Sequence, residues 1–258
     1  MQLGIKGRTA LVTASSRGLG KACAEALAQE GARVIVNGRS KLELESLVGN
    51  LYGVGHDFCM ADLTTSQGVD ELLNFVQQKN YAIDILVHNL GGNLGVTDVF
   101  CSLEDWHSVM RINVDVAIQL NRFLIPQMQE RKWGRVCHVS SISALENQGP
   151  PAYCAAKAAL VAYARSMGRY VAKDNVVVNT ILPGAVMTEG GYWDDAVKFR
   201  PEHVKKFMND RMAIGRFGTP EEIGNVVAFL CSDLSSFCVG SAFVIDGGQG
   251  KVFYAQDQ

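Results

Sequence analysis

Short apolar, β-branched runs alternate with longer helix-like segments along the whole of this 258-residue chain. That alternation leaves few folds open. The runs are Thr9–Thr13, Arg33–Val36, His56–Met60, Ile83–Val87, Arg135–Val139, Val176–Ile181 and Ala242–Ile245. Each is short and rich in the residues that favour extended backbone. The segments between them carry helical spacing. Gly18–Glu30 is Ala-rich and stops at Gly31, a good C-terminal signal, while Ser40, Thr64 and Thr219 stand at N-cap positions and Pro220 follows in the first turn. Strands separated by helices imply βαβ units and a parallel sheet. Runs such as Ile85-Leu86-Val87 and Val176-Val177-Val178 have no polar face, which suits a sheet covered on both sides. No repeat, low-complexity tract or linker interrupts the pattern. The expected architecture is α/β, a doubly wound parallel sheet of about seven strands, with one domain spanning residues 1–258.

Charge and cysteine usage narrow the class of function. Lys plus Arg is 24, Asp plus Glu is 26, and the formal net charge is −2. A nucleic-acid binder would carry a basic excess or stripe, so no nucleic-acid partner is expected. The N-terminus has no apolar signal core, and no charge-free apolar run reaches the ~20 residues of a membrane helix. The seven cysteines (23, 59, 101, 137, 154, 231, 238) form an odd count without a CxxC pair, inside apolar segments. That fits reduced, buried thiols and a cytoplasmic location with no membrane partner. No His/Cys/acid cluster has metal-ligand spacing, so no metal is expected.

The first strand runs into a helix through Thr13-Ala14-Ser15-Ser16-Arg17-Gly18-Leu19-Gly20. Glycines in such a turn let backbone approach a pyrophosphate and let the helix pack on the strand, though a tight turn alone would also use them. Ala14 occupies a position where glycine is more usual. The exposed N–H groups at the helix start favour an anion. The second strand ends in Val36-Asn37-Gly38-Arg39. An acid here would bind a ribose 2′-hydroxyl, whereas an Arg accommodates a 2′-phosphate. Arg39, with Arg17 from the turn, predicts NADP over NAD, with use of NAD left open. The alternative is that both are solvated surface charges.

The segment Tyr153-Cys154-Ala155-Ala156-Lys157 resembles the YxxxK motif of the short-chain dehydrogenase/reductase family, and the resemblance extends over nearly the whole chain. Thr13–Gly20 is similar to the family's glycine-rich loop. Asp62-Leu63 resembles the pair that contacts adenine, and His88-Asn89-Leu90-Gly91 the NNAG motif, with His88 and Leu90 as departures. Asn113 and Ser140-Ser141 stand where the family has its catalytic Asn and Ser. Pro183-Gly184 through Thr188, Val186 included, resembles the stretch lining the nicotinamide, and Asp246-Gly247-Gly248 resembles its DGG. The resemblance implies a Rossmann fold and a homotetramer. It also implies catalytic Asn113, Ser141, Tyr153 and Lys157, and a cofactor site of Thr13, Ser15, Ser16, Arg17, Gly18, Leu19, Gly20, Arg39, Asp62, Leu63, Asn89, Gly91, Tyr153, Lys157, Pro183, Gly184, Val186 and Thr188. By the family's pattern Lys157 also orients the nicotinamide ribose, and Asn113 binds a water linking Lys157 to solvent.

The residues suit that chemistry. Tyr153 and Lys157 share a helix face. A phenol near pKa 10 is a poor acid/base at neutral pH, but a nearby ammonium and a positive nicotinamide would lower it. Such a Tyr can exchange a proton with an alcohol or carbonyl oxygen as hydride moves, and a Ser hydroxyl can hold that oxygen. Counting from Gly134 selects Ser141, and counting back from Tyr153 selects Ser140. Ser141 is preferred because strand register is firmer than loop length, and Ser140 would then face the other side of the strand. Ser143 comes third. Cys154 reads as an apolar filler, and His88 as a replacement for Asn in bonding backbone.

The substrate is expected at the C-terminal edge of the sheet. Gly91–Val99, Ser143–Pro151 and a lid over residues 189–216 would surround it, with Gly190-Gly191 as hinge. The lid carries Tyr192, Trp193, Phe199 and Phe207. Its basic residues, Arg211 among them, could meet an anionic substrate or belong to a solvated amphipathic helix pair. Glu146, Asn147 and Gln148 could hydrogen-bond a polyol. The preferred substrate is a small molecule: a sugar, polyol or small hydroxy compound. The alternative is a 3-oxoacyl-acyl-carrier-protein reductase. It would need basic docking residues, for which Lys132 and Lys173 are candidates, although Asp174 stands where a second base is expected. A catalytically idle NADP-binding protein is the third reading.

Overall fold

The computed structural model describes residues 2–146 and 148–251. In chain order these build β1 (Thr9–Val12), α1 (Gly18–Gln29), β2 (Arg33–Gly38), α2 (Lys41–Asn50), β3 (Asp57–Met60), α3 (Ser66–Gln78), β4 (Ile85–His88) and α4 (Leu103–Met110). Then come α5 (Val116–Glu130), β5 (Gly134–Val139), α6 (Pro151–Val171), β6 (Val176–Pro183), α7 (Tyr192–Phe199), α8 (Pro201–Arg211), α9 (Pro220–Leu230) and β7 (Ala242–Ile245). The strands form one seven-stranded sheet, all parallel, in the order β3-β2-β1-β4-β5-β6-β7.

Alternation of side chains explains why the strands are apolar throughout. Ala10, Val12, Val34, Val36, Ile85 and Val87 face one core with Leu27 and Ala28 of α1 and Val227 of α9. Their neighbours Leu11, Ile35 and Leu86 face the other, with Leu72 of α3 and Leu120 and Leu124 of α5. Each fully buried Leu or Val stabilises the fold by about 1.5–3 kcal/mol. Strand order reverses between β1 and β4, so the loops after these strands diverge and open a crevice at their C-terminal ends.

Local signals act largely as expected. Ser40 caps α2 by accepting from Glu43 N, and Thr219 and Glu222 form a reciprocal capping box at α9. The cap of α3 is Thr65 rather than Thr64: Thr65 accepts from Gly68 N, while Thr64 donates its hydroxyl to Asp62. A π-helical turn at Arg111–Asp115 separates α4 from α5. Four of the seven cysteines are buried, but Cys101, Cys154 and Cys238 are half-exposed, and all seven are free thiols.

Candidate active site

The turn after β1 is strained where the sequence departs from glycine: Ala14 sits at φ +49°, in the left-handed region. It is held there by its N–H donating to Asn37 Oδ1 (3.2 Å) and its carbonyl accepting from Asn89 Nδ2 (2.8 Å). Gly20 is required by close approach, since a Cβ there would lie 2.5 Å from Asn89 Nδ2 and 2.6 Å from the Ala14 carbonyl. Thr13 ties the two diverging loops together: its hydroxyl donates to Val87 O and accepts from the backbone N–H groups of Asn89 and Leu90. Ser15 does the same toward β2, accepting from Asn37 N at 3.0 Å.

These loops bound a cleft of about 570 Å³. Of the predicted cofactor residues, Ser16, Arg17, Gly18, Leu19, Arg39, Asp62, Asn89, Gly91, Tyr153, Lys157, Gly184, Val186 and Thr188 line it. Thr13, Ser15, Gly20 and Leu63 do not; they are buried and build the wall behind it. Pro183 and Ser141 line a second cavity of about 660 Å³ instead. Arg17 and Arg39 are exposed, and among the described residues neither forms an ion pair or side-chain hydrogen bond. The α1 N-terminus has no side-chain cap and no acid in its first turn, which leaves its N–H groups available to an anion. The backbone turn, the open helix terminus and two uncommitted guanidiniums together fit a dinucleotide bearing an extra phosphate.

Beyond the turn lie the predicted catalytic residues. Lys157 is 3% exposed, and its Nζ donates to Val139 O at 2.9 Å and stands 5.6 Å from the Tyr153 ring. Burial penalises the ammonium and brings Lys157 down to about 8. Burial also pushes Tyr153 up, opposed only in part by a hydrogen bond with Ser141. In the protein alone, burial therefore outweighs the expected lowering of the Tyr. Gly91 packs onto Lys157 and Asn113 so tightly that a Cβ would lie 2.6 Å from Asn113 Oδ1 and 2.7 Å from Lys157 Nζ. Asn113 occupies the π-helical turn, where its amide donates to Gly92 O (2.8 Å) and Val109 O (2.7 Å) and accepts from Gly92 N (3.1 Å). It lies behind the cleft and does not line it.

The two serines diverge as strand alternation requires. Ser140 Oγ is buried and donates to Lys157 O at 2.9 Å, whereas Ser141 Oγ donates to Ser143 Oγ at 3.1 Å and lines the second cavity with Tyr153. Tyr153, Gly184, Tyr192 and Trp193 line both cavities, so Tyr153 stands at their junction.

His88 neither lines the cleft nor bonds backbone. Its Nε2 meets Asn121 Oδ1 at 2.8 Å and its ring stacks on His138 at 4.5 Å. Asn121 and Tyr163 extend this buried network, which holds His88 down at about 4 through desolvation. Sequence spacing does not reveal it, because its members come from four separate elements. Cys154 donates its thiol to Gly149 O (3.3 Å), which suits a filler. The second cavity adds Gln249, unanticipated, which accepts from Ala185 N at 2.6 Å and donates to Gln148 Oε1 at 2.6 Å. Asn147 lies outside the described residues. Lys132, the expected docking base, is bound to Asp174 at 2.6 Å.

The sequence profile of a family described as Enoyl-(Acyl carrier protein) reductase matches residues 13–249. The chain is 32% identical over 252 residues to the 3-oxoacyl-[acyl-carrier-protein] reductase FabG of Aquifex aeolicus, covering 96% of this chain and 99% of the relative. Its fold is similar to that of L-sorbose reductase from Gluconobacter frateurii, solved with NADPH and L-sorbose, with TM-score 0.91 and 32% identity over 99% of this chain and 100% of the other. It is also similar to a 3-oxoacyl (acyl-carrier-protein) reductase from Agrobacterium tumefaciens with NADP bound, with TM-score 0.88 and 32% identity over 96% of each chain.

Proposed function

The chain belongs to the short-chain dehydrogenase/reductase family, and on that premise we propose that it is an NADP-preferring oxidoreductase interconverting an alcohol and a carbonyl, with Tyr153 as general acid/base. The observation that carries this reading is the position of Tyr153 at the junction of the two cavities, with Lys157 on one side and Ser141 on the other. One cavity suits a dinucleotide and the other a small molecule. When bound, the nicotinamide supplies or accepts the hydride.

The protein's own groups do the rest. Burial keeps Tyr153 protonated at neutral pH, so it is poised to donate to a carbonyl oxygen. Ser141 is placed to donate a hydrogen bond to the same oxygen as its charge develops. The Lys157 ammonium, below about pH 8, favours the phenolate left behind and so promotes the transfer. Val139 O and Ser140 hold the lysine and its helix in place. Asn113 fixes the loop at Gly92 against which Lys157 packs. Arg39 and Arg17 hold the 2′-phosphate. Use of NADPH by sorbose reductase and of NADP by the Agrobacterium relative supports this choice.

The substrate we propose is a sugar, polyol or small hydroxy compound. The Lys132–Asp174 ion pair favours this over an acyl carrier, because it engages one of the two bases, Lys132 and Lys173, that an acidic carrier would need. Residues 189–216 form the lid, as α7 reaches both cavities through Tyr192 and Trp193 and α8 reaches the second through His203, Phe207 and Arg211. The partly exposed alanine face of α6, Ala155, Ala158, Ala159 and Ala162, supports a homotetramer, and free thiols throughout support a cytoplasmic enzyme. Purified protein offered reduced or oxidised cofactor with carbonyls, acyl thioesters, sugars and polyols tests the reading by absorbance of the reduced nicotinamide. Turnover of sugars or polyols supports it, and turnover confined to acyl thioesters restores the carrier reading.

A further inference from the structure

Resting on the oxidoreductase reading above, we infer that the second cavity selects a hydroxylated substrate with an anionic end group, a carboxylate or a phosphate ester, and that Arg211 captures that end. The cavity holds about 660 Å³, and no Asp or Glu is among the described residues lining it; Arg211, the last residue of α8, is its one Lys or Arg. The guanidinium approaches Glu146 at 3.7 Å and forms no hydrogen bond among the described residues. Glu146 stands behind the wall with its side chain 11% exposed, and also accepts from Gln148 Nε2 and the Lys251 N–H. Its charge is thus shared among several donors. Arg211, five-donor and planar, keeps most of its N–H groups for an oxyanion, which it can bind bidentately.

Gln148 and Gln249 add side-chain amides to the lining shared by Arg211 and Tyr153. Gln249 is 4% exposed, and its Oε1 is committed to Ala185 N while one Nε2 hydrogen goes to Gln148. The second N–H of that rigidly held amide is directed donor capacity for a hydroxyl. Trp193 and Phe207, ring centroids 4.2 Å apart and tilted by 39°, supply an apolar face. A plain acyl chain would desolvate the guanidinium and the amides without pairing them, which is costly. A hydroxylated chain ending in an oxyanion satisfies both.

The test is initial-rate kinetics with NADP and three substrates of equal carbon number: an aldonate, a polyol phosphate and a neutral polyol. The wild type is expected to favour at least one anionic compound over the neutral one by tenfold or more in kcat/KM. Arg211→Met is expected to cut that ratio at least tenfold, and Arg211→Lys to retain part of it as a point charge. Which anion wins distinguishes carboxylate from phosphate. Wild-type preference for the neutral polyol, or an unchanged ratio in a folded Arg211→Met, overturns the anion site alone. Absence of turnover with these and with the broader carbonyl and alcohol panel overturns the oxidoreductase reading and this inference with it.

Discussion

The two halves of the active site are built by different means. The dinucleotide cleft is framed by backbone: turns leaving β1, β2 and β4 are fixed by Thr13, Ser15, Asn37 and Asn89, each bonding main chain from a neighbouring strand. The second cavity, proposed for the substrate, is framed by side chains from segments far apart in sequence. Gln249 reaches Ala185 and Gln148, and Glu146 reaches Arg211 and Lys251. A backbone frame tolerates few residue types and holds one ligand scaffold. A side-chain frame on loops can be rewritten without disturbing the sheet, so substrate choice is free to vary there.

The sharpest break in that comparison comes at the junction. Tyr153→Phe is expected to lower kcat by about 10²–10⁴-fold, the usual weight of a general acid/base, with cofactor affinity little changed. Stopped-flow hydride transfer and cofactor titration check it, and retention of rate would remove Tyr153 from the chemistry. Arg39→Ala probes the backbone-framed half alone. The ratio of NADP to NAD affinity should fall about 10–100-fold, the value of one charge-assisted contact, while KM for the substrate stays within a few-fold. Gln249→Leu probes the other half. It should raise substrate KM about tenfold through an unpaired Ala185 N–H and a lost donor, leaving the NADP/NAD ratio as it is. If both variants shift both parameters alike, the two halves are not independent.

Carbonyl reduction, followed as kcat/KM, should decline as pH rises through about 8, where Lys157 loses the charge that supports proton donation. A separate effect, on stability and not on turnover, lies in the buried network. His88 has its pKa depressed from 6.5 to about 4, so the stability its neutral form contributes is present above 6.5 and lost as pH falls toward 4. The loss is up to about 3 kcal/mol. Denaturant melts of wild type and His88→Asn across that range should converge on acidification.

Much of the fold was legible because it rests on local pattern. Uninterrupted apolar runs mean a sheet buried on both faces, and β1–β7 fall where those runs lie, within a few residues at each end. Arg39 at the end of β2 and the Tyr153–Lys157 pair on one turn of α6 are also local features, and both reach the cleft. The break between α4 and α5 was not legible, because a π turn is stabilised by what Asn113 does with Gly92, a residue of another loop.

The parallel sheet, the turn after β1 and the pairing of Tyr153 with Lys157 on one helix face follow from the sequence, since residue type and short spacing suffice to place backbone and neighbouring side chains. Only the tertiary structure placed His88 in a buried polar network, showed burial raising Tyr153 and lowering Lys157, and joined Gln249 to Gln148. These outcomes depend on desolvation and on contacts between segments distant in sequence, and neither quantity exists until the chain has packed.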